Sequence, residues 1–190
     1  GAIKFEEVDF RYGPDDPWVL KDFNLDVAAG EHIALVGETG AGKTTVAMLI
    51  GRFYDTTKGC VLIDGRDVRE YDLTSLHQHM GIVLQEGFLF CGTVLDNLRF
   101  RRPDMSEEKV IEAAKMLGTH DSIMRLADGY QTEILEGGES VSEGQRQLIS
   151  VTRALVADPR ILILDEPTSS LDVHTEKILQ RALARLTRGR

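Results

Sequence analysis

The feature that most restricts what this chain can become is the stretch GETGAGKTT, Gly37–Thr45, set between the apolar run HIALVG and the apolar-rich segment TVAMLIGRFY. Its order, G-x-x-x-x-G-K-T, makes a loop whose backbone N–H groups can curl around phosphate oxygens. The run before it fits a strand buried on both faces of a sheet, and the segment after it fits a helix. A helix start at the end of the loop adds partial positive charge to an anion site. On this reading Gly37, Glu38, Thr39, Gly40, Ala41, Gly42, Lys43, Thr44 and Thr45 hold the phosphates of ATP. Lys43 reaches the β- and γ-phosphates, and Thr44 offers its hydroxyl to Mg2+. A glycine-rich turn with no ligand is the alternative, and the agreement of pattern with context speaks against it.

The neighbouring segments set the loop in an α/β fold. Val8, Phe10 and Tyr12, then Phe23, Leu25 and Val27, alternate as in half-buried antiparallel strands joined by the turn-rich GPDDP. VLIDG ends in a turn pair, LTSLHQHM reads as a short surface helix and GIVLQ as a buried strand. From Glu86 to about Ala157 the pattern is helical, with Thr93 and Ser106 as N-caps and Gly118 closing EEKVIEAAKML. Strand character returns with RILILDE. Ile178, Leu179, Ala182, Leu183 and Leu186 then share one helical face. The expectation is one domain: an α/β core interrupted by a helical insert, without internal repeats.

Two further segments carry chemistry. RILILDE brings Asp165 and Glu166 to the carboxyl edge of the sheet, where ligands of open α/β folds bind. Asp165 suits the Mg2+ shell, and Glu166 is placed to polarise a water for attack on the γ-phosphorus. The other segment is ESVSEGQRQ, Glu139 to Gln147, where Ser142 can cap the following helix and Gly144 leaves the backbone open to close approach. That is a second anion-binding helix start. One nucleotide loop already serves the chain's own ATP, so the second would suit a phosphate on another molecule.

Bulk properties remove several classes. Asp and Glu outnumber Lys and Arg by 31 to 22, for a formal charge of -9, and no basic run exceeds the pair Arg101–Arg102, so nucleic acid is not an expected partner. Cys60 and Cys91 form neither a disulfide framework nor a zinc-type spacing. No apolar run approaches the ~18 residues that cross a bilayer. The chain does not begin with Met and stops at LTRGR after a helical pattern, so it is expected to be a segment of a longer polypeptide, with Gly1–Ala2 a cloning remnant.

Taken together, from Ile3 to Arg190, the motifs resemble the nucleotide-binding domain of ATP-binding cassette (ABC) transporters. In the family's order they are an aromatic A-loop residue at Tyr12, the phosphate loop, a Q-loop Gln85, the signature VSEGQ, the acidic strand with Glu166, and a D-loop SSLD ending at Asp172. The phrases VGETGAGKTT, RFYD, GIVLQEGFLF, TVLDNL and EGQRQL most resemble exporters whose membrane and ATPase regions share one polypeptide. The resemblance implies a P-loop NTPase core with a mostly parallel sheet and an N-terminal antiparallel β subdomain, spanning 1–85 and 158–190. It also implies an inserted helical subdomain, 86–157, carrying the signature, and a C-terminal part cut short.

It further implies roles. Tyr12 would stack on adenine, Gln85 would touch Mg2+ and the attacking water, and the loop Glu86 to Phe90 would sense a membrane-spanning domain. Ser142, Gly144 and Gln145 would close on ATP held by the opposite subunit, completing two composite sites in a head-to-tail homo- or heterodimer. TEILEGG resembles the exporter loop that relays contact with the membrane domain. The implied location is the cytoplasmic face of a membrane, most readily the plasma membrane, with ATP hydrolysis powering export.

Two departures stand out. The family's frequent signature is LSGGQ, and here Glu143 places a carboxylate at a helix start that should face a triphosphate, where like charges repel. The helix dipole favours the same acid, so a solvent-facing Glu143 is the competing reading. The family's switch-loop His would lie beyond RGR, and none of His32, His77, His79, His120 and His174 replaces it, which implies weak hydrolysis by this segment. Two other readings are weighed: a soluble ABC ATPase of DNA repair or translation, opposed by LQEGFLF and TEILEGG, and a nucleotide-gated dimerisation module with negligible hydrolysis, opposed by Glu166.

Overall fold

The computed structural model describes residues 1–83, 87–100, 102–138, 140–165 and 173–186. They fall into two compact units, Gly1–Met80 and Gly81–Gly189.

The first unit is built on a four-stranded sheet with the order β2–β1–β3–β4: β1 Ile3–Phe10, β2 Leu20–Val27, β3 Lys58–Ile63 and β4 Arg66–Asp67. All three pairings are antiparallel. In β1 the buried residues are Ile3, Phe5, Val8 and Phe10, so the alternation changes phase between Phe5 and Val8. A register shift lies there, with Glu7 at φ 47, and one extra residue returns Val8 and Phe10 to the inner face. Phe23, Leu25 and Val27 alternate inward on β2 as expected, and Phe23 meets Phe5 edge-on at 5.3 Å.

Between β2 and β3 lies α1, Lys43–Ile50. It is shorter than TVAMLIGRFY suggested, because Arg52 adopts φ 50 and closes the helix. Phe53 N–H donates to Met48 O at 2.9 Å and Arg52 N–H to Leu49 O at 3.1 Å, a Schellman stop with arginine in the left-handed position usually held by glycine. The Arg52 side chain donates to Asp55 at 3.1 Å and to the Tyr71 carbonyl at 3.2 Å, which holds that conformation. The surface helix α2, Leu73–Gln78, is capped by Asp72, whose carboxylate accepts from Ser75 N–H at 2.9 Å.

One strand expectation is corrected. The run HIALVG is not a strand: 31–37 carries no regular structure, and Ile33, Leu35 and Val36 are 45%, 38% and 89% exposed. An apolar run states which side chains favour burial, but a strand is made by ladder bonds to a neighbour, and no described strand pairs with this segment.

The second unit contains β5 Met80–Val83, β6 Gly92–Thr93, α3 Val94–Arg99, α4 Glu107–Leu117, α5 His120–Ile123, β7 Glu133–Ile134, α6 Glu143–Val156, β8 Ile161–Leu164 and α7 Val173–Leu186. β5 pairs with β8, and β6 pairs antiparallel with β7. The small β6–β7 ladder was hidden in a segment read as helical throughout. Thr93 caps α3, Ser106 stands at the N-cap of α4, and Gly118 ends α4 at φ 79. One buried cluster gathers Val94, Leu98, Val110, Ile123, Ile134 and Ile149 from α3, α4, α5, β7 and α6. A second gathers Val83, Leu117, Val151, Leu155 and Ala182, so β5, α4, α6 and α7 share a core. No helix among the described residues is long and apolar enough to cross a membrane.

Candidate functional site

The loop Gly37–Gly42 runs into α1 through Gly42, at φ 88. A side chain there would be strained by that φ and would also meet Leu20 Cδ2 at 3.1 Å and Val19 Cγ1 at 3.3 Å, so glycine lets the loop lie against the start of β2. No side chain caps α1 and no acid stands in its first turn. A helix start leaves its first N–H groups without an acceptor in the helix, and no acid of its own first turn answers the α1 dipole. Lys43 folds back over the loop, its Nζ donating to Gly37 O at 2.8 Å and Glu38 O at 3.0 Å. An ammonium held above exposed backbone at a helix N-terminus is an arrangement for a polyanion. Residues 37–41 and Thr44 are exposed, and Thr45 is buried.

Tyr12 lies just past β1, half exposed, and its hydroxyl shares a hydrogen bond with Thr45 Oγ1 at 2.9 Å. The sequence-predicted aromatic is therefore tied to the last residue of the phosphate loop. Asp165 follows β8 and extends the β5–β8 ladder, its N–H donating to Val83 O at 2.9 Å. Thr44 and Asp165 offer the hard oxygen donors that Mg2+ takes. Among the described residues no group of three or more His, Cys, Asp and Glu could hold a metal.

The α6 start is organised differently. Ser142 Oγ accepts from Gln145 N–H at 3.3 Å, and Gln145 Oε1 accepts from Ser142 N–H at 2.8 Å, a reciprocal capping box. Gln145 therefore has a local structural role, as the S-x-x-Q spacing of a capping box requires. Ser142 and Glu143 are exposed, Gly144 and Gln145 half-buried. Glu143 stands in the first turn, where the dipole favours an acid.

The family model of the ABC transporter matches residues 20–169. The chain belongs to the ABC transporter family. It is 48% identical over its whole length to YknV of Bacillus subtilis (strain 168), described as an uncharacterized ABC transporter ATP-binding protein, and spans 31% of that protein. It is 44% identical over its whole length to YgaD of the same organism, named for multidrug export as an ATP-binding/permease protein, of which it spans 33%. The structure of a bacterial Atm1-family ABC exporter with ATP bound superposes with a TM-score of 0.90 at 39% identity, covering 98% of this chain and 32% of that one. The chain thus spans about a third of the length of these relatives. The fold is the P-loop fold of ABC ATPases, the ligand class is ATP, and YgaD and the Atm1-family neighbour are named as export proteins.

Within that family frame, Gln85, Glu166 and the D-loop Asp172 lie outside the described residues. From Gly87 to Phe90 the chain is tied to α3 and α6. Gly87 lies so close to α6 that an added Cβ would stand 2.6 Å from Gln147 Oε1 and 3.0 Å from its Cα. Buried Asn97 accepts from Phe90 N–H at 2.9 Å and donates to Phe90 O at 2.8 Å. Arg153, on α6, donates to Phe88 O at 2.8 Å and lies over the Phe90 ring at 5.3 Å. Phe90 also stacks on Phe100 at 4.0 Å. The tie from this loop to the signature helix was not legible in the sequence, because Asn97 and Arg153 read as ordinary helix residues.

Proposed function

We propose that this chain is the ATP-hydrolysing domain of a membrane exporter, cleaving the β–γ bond of MgATP to drive transport. The observation that carries the proposal is Lys43 folded over the Gly37–Gly42 loop at the uncapped start of α1. Lys43 would exchange its two loop carbonyls for β- and γ-phosphate oxygens, while the α1 N–H groups take up the remaining charge. Thr44 and Asp165 would hold Mg2+, with Gln85 beside it, and the ion would neutralise charge on the transferring phosphoryl group. Glu166 would orient and deprotonate the attacking water. Tyr12 would stack on the adenine, its half-exposed ring being available for that contact.

Ser142, Gly144 and Gln145 would act on ATP held by a second nucleotide-binding domain. The Ser142 hydroxyl accepts from Gln145 N–H, which leaves its own O–H to donate to a γ-phosphate. In this reading 1–85 and 158–190 form the nucleotide core and 86–157 the helical subdomain. The exposed Phe88 and Phe100 would lie toward a membrane-spanning domain of the same transporter, at the cytoplasmic face of the plasma membrane.

The test is Glu166→Gln in the purified protein. Unchanged ATP affinity with turnover reduced at least ~100-fold is expected. Equal turnover in the two proteins, well above the rate without enzyme, would remove Glu166 as the base. Sedimentation velocity on the same variant should show a dimer in MgATP and a monomer in MgADP, and a monomer in both would overturn the cross-subunit role of the signature.

A further inference from the structure

Tyr12 is not an isolated aromatic on a turn. Its ring meets Phe10 at 4.9 Å and 83° and Tyr54 at 5.0 Å and 85°, and Phe10 meets Tyr54 at 5.8 Å. The three centroids form a triangle of nearly equal sides, so Phe10 and Tyr54 lie on the same side of Tyr12 and cannot sandwich it. A face of Tyr12 remains clear of both. Phe10 is buried, whereas Tyr12 and Tyr54 are 50% and 46% exposed, so the cluster runs from the sheet outward with its open end in water.

We infer that Tyr54 is a positioning residue for nucleotide binding, holding the Tyr12 ring in the orientation that presents its open face to the base of a nucleoside triphosphate. The inference rests on the base-stacking role proposed for Tyr12. An exposed tyrosine loses rotamer freedom when a ligand stacks on it, and restricting it beforehand removes part of that cost. Two contacts restrict Tyr12: the hydroxyl is held by Thr45 at 2.9 Å, and the ring is held by the Phe10–Tyr54 pair. Tyr54 is itself fixed by the way α1 stops. The left-handed Arg52 turns the chain out of the helix, and its bonds to Asp55 and to the Tyr71 carbonyl lock the turn from both sides. The phosphate loop and the base contact thereby share one helix: α1 begins where the phosphates would sit, and the turn that stops it at Arg52 leads into Tyr54, which braces Tyr12.

The experiment measures equilibrium binding of MgATP and of inorganic tripolyphosphate to the purified protein and to Tyr54→Ala, Tyr54→Phe, Tyr12→Ala and the Tyr12→Ala/Tyr54→Ala pair. Tyr54→Ala should weaken ATP about three- to tenfold, the scale of one aromatic pair, and leave tripolyphosphate unchanged. Tyr54→Phe should restore ATP affinity, and the double variant should bind ATP no more weakly than Tyr12→Ala alone. Equal weakening of both ligands, additive losses in the pair, or an unaltered ATP affinity in Tyr54→Ala would each overturn the inference. A loss at Tyr12 without a loss at Tyr54 would leave the base contact standing and remove only the brace. No loss at Tyr12 would remove the base contact, and the brace with it.

Discussion

The two helix starts assigned to phosphate are built on opposite plans. At α1 the N-cap is a glycine with no side-chain cap, the first turn has no acid, and the Lys43 ammonium rests on loop carbonyls. At α6 Ser142 and Gln145 satisfy each other's backbone N–H groups, and Glu143 already answers the dipole. The first, with no side-chain cap and no acid of its own, has the plan of an anion site. The second takes up the Ser142 and Gln145 N–H groups without any ligand, so a phosphate brought to it would meet what the box does not engage, the Ser142 O–H and the backbone N–H groups of Glu143 and Gly144. The difference suits the order of events in the proposed dimer, with tight binding first at α1 and conditional closure later at α6.

The comparison breaks most sharply at Lys43. Lys43→Ala should weaken MgATP ~10- to 100-fold, since each charge-assisted bond to phosphate contributes about 1.5–3 kcal/mol. The melting temperature without nucleotide should hardly move, because the carbonyls that Lys43 releases lie in exposed loop. Isothermal titration and a thermal melt separate the two quantities. A large loss of stability without ATP would show the loop to be structural.

At α6 the balance should invert. Ser142→Ala removes a capping box and should lower stability by about 1 kcal/mol, about 2–4 °C in melting temperature for a chain of this size, with no nucleotide present. ATP affinity of the monomer should stay unchanged, and ATP-driven dimerisation should fall. If instead the melt is unmoved and monomer binding falls, the assignment of the two starts must be exchanged.

The same contrast marks what the sequence made legible. Caps at Thr93, Ser106 and Ser142 and the stop at Gly118 are local, written within four residues, and the structure places them as read. The phosphate loop is local too. What depends on distant partners was not written. HIALVG states an appetite for burial but names no neighbouring strand, and in the structure it carries no regular structure and is exposed. Tyr54 touches Tyr12 only because Arg52 ends α1 in a left-handed turn, and an arginine gives no such signal where a glycine would. Gln145 belongs with the local signals: S-x-x-Q is the pattern of a capping box, and the structure uses it as one.

Glu143 tests whether the α6 plan limits the second site. Glu143→Gln should lower stability by about 0.5 kcal/mol through loss of its dipole interaction. It should also strengthen ATP-driven dimerisation, most at low salt, because a carboxylate facing a triphosphate repels it. Sedimentation velocity at two salt concentrations reads the second effect. Dimerisation equal to the parent at both would leave Glu143 a solvent-facing acid that serves only its helix.

The smallest expected effect compares the two capping boxes of the second unit. At α3, Asp96 Oδ2 accepts from Thr93 N–H at 2.9 Å and from Thr93 Oγ1 at 2.7 Å, while Thr93 Oγ1 accepts from Asp96 N–H at 3.0 Å. The Thr93 backbone bond, followed by its hydroxyl bond, holds the Asp96 carboxyl below its ordinary value of 3.8. A carboxyl with a lowered folded pKa stabilises fully above its unfolded value and loses that contribution as pH falls through the folded one. The α3 cap should therefore hold at neutral pH, begin to weaken below pH 3.8 and be lost as pH falls through the lowered value of Asp96, whereas the amide of Gln145 carries no proton to gain and leaves the α6 cap indifferent to acid. Hydrogen exchange across this range should show the first turn of α3 losing protection before that of α6, and Asp96→Asn should abolish the pH dependence at α3 alone. Simultaneous loss at both starts would mean that acid opens their shared core rather than one cap, since Val94, Leu98 and Ile149 lie in the same buried cluster.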